Sequence, residues 1–151
     1  ANRYLAFLLD KDVYAVEVRY VVEIVGILPI TKVPETPPYV KGVVNLRGQI
    51  IPVMDMRIKF HKPEIEYNDR TCVVVVHIGP VVLGLIVDSV IEVLTITEEH
   101  QAPPPSFITG EKNPYIKAVD NRDKHVKLLL DCEKLLIDED LLLIENLNNK
   151  N

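Results

Sequence analysis

Imidazole and thiolate groups supply most metal ligands, nucleophiles and general bases near neutral pH, so histidine and cysteine spacing is read first. The chain has four histidines, His61, His77, His100 and His125, and two cysteines, Cys72 and Cys132. None pair at metal-ligand spacing, and no G-x-S-x-G, P-loop or dinucleotide fingerprint is present. The cysteines lie in apolar runs without an adjacent basic residue to lower a thiol pKa. His77 ends an apolar strand and reads as a structural histidine. An enzyme would need Cys72, His77 and a carboxylate gathered into one cleft from distant parts of the chain. The expectation is a protein without catalytic residues, metal or cofactor.

One charged position stands apart. The run Asn45-Leu46-Arg47-Gly48-Gln49-Ile50-Ile51-Pro52 places Arg47 and Gly48 between two apolar segments. Gly48 can supply the positive φ of a hairpin turn, with Arg47 a solvated neighbour. Alternatively, Arg47 projects from a rigid tip, where a planar guanidinium suits pairing at an interface. Glu23 is its candidate partner. The residue types leave both readings open.

These positions depend on strands. Valine (22) and isoleucine (15) make up about a quarter of the 151 residues, and β-branched side chains pack well on a pleated surface. Strands are expected over residues 4–9, 13–18, 21–28, 42–46 and 49–54, with Pro52 placing the last at an edge or bulge. Further strands are expected over 71–78, 81–87, 90–96, 115–119 and 125–131. The four valines Val73 to Val76 predict burial on both faces. Residues 34–39 hold three prolines and read as a turn, and 61–70 as a polar connection. Leucines at helical spacing over 133–147 predict one or two short helices, broken near Asp138.

The chain also resembles itself. Shifted by 69 positions, Val13, Val18, Val21, Glu23 and Ile27 meet Val82, Val87, Val90, Glu92 and Ile96. Shifted by 76, Tyr39, Lys41, Val43, Asn45 and Asp55 meet Tyr115, Lys117, Val119, Asn121 and Asp131. Two ungapped blocks in the same order predict a duplicated unit of about five strands, each closing into a small barrel that removes exposed edges. The copies differ at the tip, where Asp123-Lys124 replaces Arg47-Gly48.

Charge and hydropathy narrow the partners. A formal net charge of −5 argues against nucleic acid. No apolar run reaches the roughly 18 residues of a membrane-spanning helix, and no signal-peptide pattern opens the chain. Two unpaired-looking cysteines suit a reducing cytoplasm.

The run Val40-Lys41-Gly42-Val43-Val44-Asn45-Leu46-Arg47-Gly48-Gln49-Ile50-Ile51-Pro52-Val53-Met54-Asp55 resembles the signature of the CheW family, adaptor proteins of bacterial chemotaxis. The likeness extends through residues 22–24, 56–60, 67–69, 84–88 and 133–136. It implies an all-β fold of two five-stranded SH3-like barrels in pseudo-symmetric arrangement, with short C-terminal helices. Residues 1–151 then form a single CheW-like domain with approximate lobes 1–65 and 66–151, between which strands can be exchanged. The implied function is non-catalytic coupling of transmembrane chemoreceptors to the histidine kinase CheA, in the cytoplasm and at the membrane only through receptors. Partners are receptor cytoplasmic tips and the CheA regulatory domain.

Carried over position by position, Arg47 and Glu23 match the family's paired functional charges. Gly42, Val90 and Val93 match the border of a receptor-binding groove between barrels. Val18, Arg19 and Val21 match the kinase-facing surface. Cys72 stands where the family often has an aliphatic residue. The alternatives are an isolated CheA-type regulatory domain or hybrid adaptor fragment, and a small ligand-binding sensor. The absence of kinase or phosphotransfer segments favours the stand-alone adaptor.

Overall fold

The computed structural model describes residues 2–105 and 113–136. Its strands are β1 (Arg3–Leu9), β2 (Asp12–Glu17), β3 (Val21–Gly26), β4 (Val40–Leu46), β5 (Gln49–Asp55), β6 (Cys72–Ile78), β7 (Val81–Val87), β8 (Ser89–Thr95), β9 (Gln101–Ala102), β10 (Ile116–Asp120) and β11 (Lys127–Leu130). One short helix, α1 (Met56–Lys59), follows β5. A five-stranded sheet has the order β3-β6-β7-β5-β4 and a six-stranded sheet the order β8-β1-β2-β11-β10-β9.

The duplication is visible in the pairing. The shift of 69 carries β1, β2 and β3 onto β6, β7 and β8, and the shift of 76 carries β4 and β5 onto β10 and β11. The short β9 is the extra strand of the larger sheet. Registers repeat as well as strands. Val53 pairs with Gly84 in the parallel β5–β7 ladder, and Leu129 pairs with Ala15 in the parallel β11–β2 ladder. The register shift between Val21 and Glu23 on β3 returns opposite Val90 and Glu92 on β8, where it falls between Ala6 and Phe7 of β1. The shift between Val40 and Gly42 returns between Ile116 and Ala118.

The two copies interleave. The five-stranded sheet takes β3, β4 and β5 from the first copy and the β6–β7 hairpin from the second. The six-stranded sheet takes the β1–β2 hairpin from the first and β8 to β11 from the second. Strand pairing therefore crosses residue 65 in both sheets. The largest core cluster is shared between them, with Leu5, Phe7, Tyr14 and Val16 from one and Met54, Val74, Val76 and Leu85 from the other.

Val73 to Val76 are all buried, because both faces of β6 are covered: Val74 and Val76 enter the main core cluster, and Val73 and Val75 a second cluster with Val44, Ile51 and Val53. Pro52 departs from expectation: β5 is an interior strand. The parallel ladder to β7 begins only at Val53, so at Pro52 the strand pairs with β4 alone, opposite Val43, and the missing N–H costs no ladder bond. The sequence reading also missed α1. Asp55 caps it by accepting from the N–H groups of Arg57 and Ile58 at 2.9 and 3.3 Å. Of the helices expected over 133–147, a 3-10 turn at Cys132–Leu135 is present, and residues beyond 136 lie outside the described part.

Candidate functional site

The tip between β4 and β5 places Arg47. Arg47 has φ +51° and Gly48 φ +89°, the two positive values of a tight two-residue hairpin. The Gly48 N–H donates to Asn45 Oδ1 at 2.7 Å, which fixes the turn from within. Arg47 occupies a conformation better suited to Asn or Gly. Its side chain is 68% exposed and its Nη2 donates to Glu23 Oε2.

Glu23 lies on β3, at the opposite edge of the sheet from β4. The chain beyond β3 also returns to that far edge, since Thr31 bridges Val43 through two 2.9 Å hydrogen bonds. The Arg47–Glu23 contact joins the two edges of the sheet, and the Thr31 bridge extends the β4 edge with the chain that follows β3, so the sheet curls on itself. Gly42 belongs to this seam. Its φ is +144°, and a Cβ there would stand 2.1 Å from the Thr31 carbonyl oxygen. Its role is backbone shape, which a side chain would block.

β3 and β8 are edge strands, and each shows two large apolar side chains to solvent. Val22 and Ile24 are 57% and 42% exposed, and Ile91 and Val93 are 47% and 45% exposed. The shift of 69 carries Val22 onto Ile91 and Ile24 onto Val93, with Glu23 and Glu92 between them. Val22, Ile24 and Ile91 were not singled out from sequence. A run of apolar residues does not say which of them face out: β3 alternates, with Val22 and Ile24 outward, whereas on β8 three successive residues, Ile91, Glu92 and Val93, are exposed. Val90 is half-buried against the main core, as is its counterpart Val21.

Val18, Arg19 and Tyr20 form the 3-10 turn between β2 and β3. Val18 packs on the main core, while Arg19 is exposed and donates from Nε to Glu17 at 2.9 Å. Its guanidinium lies 4.5 Å from the Tyr20 ring centroid. Lys117 reaches the other Glu17 oxygen at 2.8 Å. Burial opposes the Glu17 charge, but hydrogen bonds from Lys117 and Arg19 prevail and hold its carboxyl below the usual range. Tyr20 donates to Glu133 at 2.8 Å; burial and that bond push the phenol up to about 12. Among the site candidates, Arg47 and Glu23 touch directly. Gly42 sits at the β4 seam, Val90 and Val93 lie on the other sheet, and Val18, Arg19 and Val21 cluster around the β2–β3 turn.

The assembled-enzyme alternative loses its geometry. Cys72 and His77 stand five residues apart along β6, roughly 16 Å at the rise of a strand. His77 is exposed rather than structural. Among the described residues no group of His, Cys, Asp and Glu side chains could hold a metal ion, and no helix is long and apolar enough to cross a membrane. Cys72 is half-buried with Sγ 3.2 Å from the Arg70 carbonyl.

The family model for the CheW-like domain matches residues 3–140. Chemotaxis protein CheW of Klebsiella aerogenes is 35% identical over 145 residues, covering 96% of this chain and 87% of that protein. Chemotaxis protein CheW of Treponema pallidum is 31% identical over 147 residues, covering 95% and 86%. The crystal structure of the scaffolding protein TtCheW from Thermoanaerobacter tengcongensis superposes with a TM-score of 0.82 at 30% identity, over 92% of this chain and 94% of that one. The match over nearly the whole chain, with the duplicated all-β architecture behind it, places this chain in the CheW family.

Proposed function

We propose that the chain is a non-catalytic chemotaxis adaptor that couples transmembrane chemoreceptors to the regulatory domain of the kinase CheA. It acts in the cytoplasm and reaches the membrane through receptors. The observation that carries this reading is the repetition of one exposed apolar edge, Val22 and Ile24 on β3 and Ile91 and Val93 on β8. A duplicated body with two related edges, one in each lobe (1–65 and 66–151), offers surfaces for two different partners.

Receptor tips are helical hairpins, and an amphipathic helix recognises its site by laying apolar side chains into a groove. Val93 and the half-buried Val90 offer apolar contact, Gly42 lets the chain at Thr31 close against β4, and the Arg47–Glu23 pair orients the incoming helix. Kinase contact falls to the β2–β3 turn. There Arg19 supplies an exposed, pre-stacked guanidinium beside Val18 and Val21. Modest contacts of this kind gain strength when many are made at once in an array.

A pull-down with a receptor cytoplasmic fragment and a kinase regulatory domain, run separately and together, tests the reading. Retention of each alone and of both together is expected. Failure to retain either one overturns it. The purified chain is also expected to show no ATPase, phosphotransfer or hydrolase activity.

A further inference from the structure

A cleft of about 590 Å³ opens between the β1–β2 turn and the β10–β11 tip. None of the receptor or kinase candidates lines it. Its floor is apolar and aromatic, with Tyr14, Phe60, Ile116 and Leu128. Its rim is basic: Lys11, Lys62 and Lys124, with His125 beside them, against the single carboxylate of Asp12. Lys62 is bound to Asp12 at 2.7 Å. Lys11 and Lys124 are exposed and have no carboxylate partner among the described residues. Val126, on the same rim, is an exposed apolar side chain.

The duplication supplies an internal control. At the corresponding places of the other copy, Lys11 and Asp12 become Pro80 and Val81, and Lys124 and His125 become Gly48 and Gln49. The wall and floor positions Val13, Tyr14 and Ile116 stay apolar as Val82, Leu83 and Val40. At these four positions the other copy carries no charge, so Lys11, Lys124 and His125 are additions confined to one half. They form a local positive site on a chain of net charge −5.

We propose that this cleft binds an acidic peptide segment of a partner protein, its carboxylates meeting Lys11 and Lys124 and an apolar side chain covering the floor beside Val126. A free inorganic anion would leave the apolar floor and Val126 uncovered, so a segment that alternates acidic and apolar residues fits both halves of the site.

The test is an amide NMR titration of the full chain with an acetylated eight-residue peptide alternating Glu and Leu. Saturable shifts are expected at Lys11, Lys124, His125 and Val126, while Gln49 and Ile50, at the same place in the other copy, stay still. Affinity should fall about tenfold or more when Gln replaces Glu in the peptide, and likewise in Lys11→Glu/Lys124→Glu, with Val126→Ser as a second variant that keeps the charges. The proposal is overturned by the absence of saturable shifts, or by equal binding of the Gln peptide. It is equally overturned if sodium phosphate alone reproduces the shifts, or if they grow with the chain's own concentration, which would make the occupant a small anion or a second copy.

Discussion

Arg57 and Asp88 form a two-point ion pair that ties the two copies together. Nε and Nη2 of Arg57 meet the two Asp88 oxygens at 2.8 and 2.7 Å. Arg57 belongs to α1 after β5, and Asp88 to the junction of β7 and β8. Arg57 Nη1 donates to the Pro63 carbonyl at 2.8 Å, and Asp88 also accepts the Asp10 N–H at 2.8 Å. One largely buried site thus pins a helix, a polar connection and two strand junctions.

Asp88→Asn is expected to lower unfolding stability by about 2 kcal/mol, since a mostly buried guanidinium loses its charge partner while the packing around it is unchanged. Arg57→Lys should cost a similar amount, because an ammonium cannot reproduce the fork. Urea denaturation of both variants and of the double variant measures the coupling. Losses below about 0.5 kcal/mol, in the range of a surface pair, would show that the ion pair adds little to the strand ladders and apolar core that join the two copies.

Arg47→Asn separates stability from binding. Asn tolerates positive φ, and Asn-Gly is the preferred sequence of this turn, so stability should rise by up to about 1 kcal/mol. The lost contact to Glu23 is exposed and worth little. Receptor or kinase retention in the pull-down should nevertheless fall. A variant that is as stable or more so, yet still retains both partners, would return Arg47 to the role of a solvated turn residue.

Much of this was legible in local sequence, and the exceptions share a cause. The Arg47-Gly48 tip, the proline turn over 34–39 and the paired copies follow from neighbouring residues and their repetition. Asp55 and Asp131, matched by the shift of 76, prove to be equivalent caps. Each accepts from the N–H groups two and three residues on, and each donates its own N–H to the matched tyrosine carbonyl, Tyr39 at 2.7 Å and Tyr115 at 2.8 Å. Partner choice between strands was not legible. Nothing in β6–β7 states that it will sit among β3, β4 and β5 rather than beside β8, because a hairpin from either copy presents the same apolar pattern. Pro52 was misplaced for the same reason, since its tolerance depends on where a distant strand's ladder begins. The exposure of Val22 and Ile91 was not legible either, because β3 and β8 become edge strands only through the choice of distant partners.

Gly42→Ala is expected to behave differently from any substitution at Arg47. Its methyl group would collide with the Thr31 carbonyl, a backbone atom, and the positive φ adds strain. A stability loss of about 2–4 kcal/mol should accompany any binding defect. Thermal unfolding and pull-down measured on the same preparation check this. Lost binding at unchanged stability would instead make Gly42 a direct contact.

The two cysteines should differ in reactivity, and one of them should couple stability to alkaline pH. Cys132 is buried in the main core, and burial pushes its thiol from 9.0 up to about 12. The native state therefore favours the neutral thiol more than the unfolded chain does. Its contribution is fully present below pH 9 and is lost progressively between pH 9 and about 12, as the unfolded thiolate gains stability that the buried one lacks. At pH 8, iodoacetamide should modify the half-buried Cys72 well before Cys132, with Cys132 labelled only as the chain opens. Cys132→Ala should flatten part of the stability decline above pH 9 while lowering stability at neutral pH through the space it leaves. Equal labelling rates under native conditions, or an alkaline decline unchanged in the variant, would show that the thiol at position 132 is more accessible than its packing beside Leu130 and Leu135 allows.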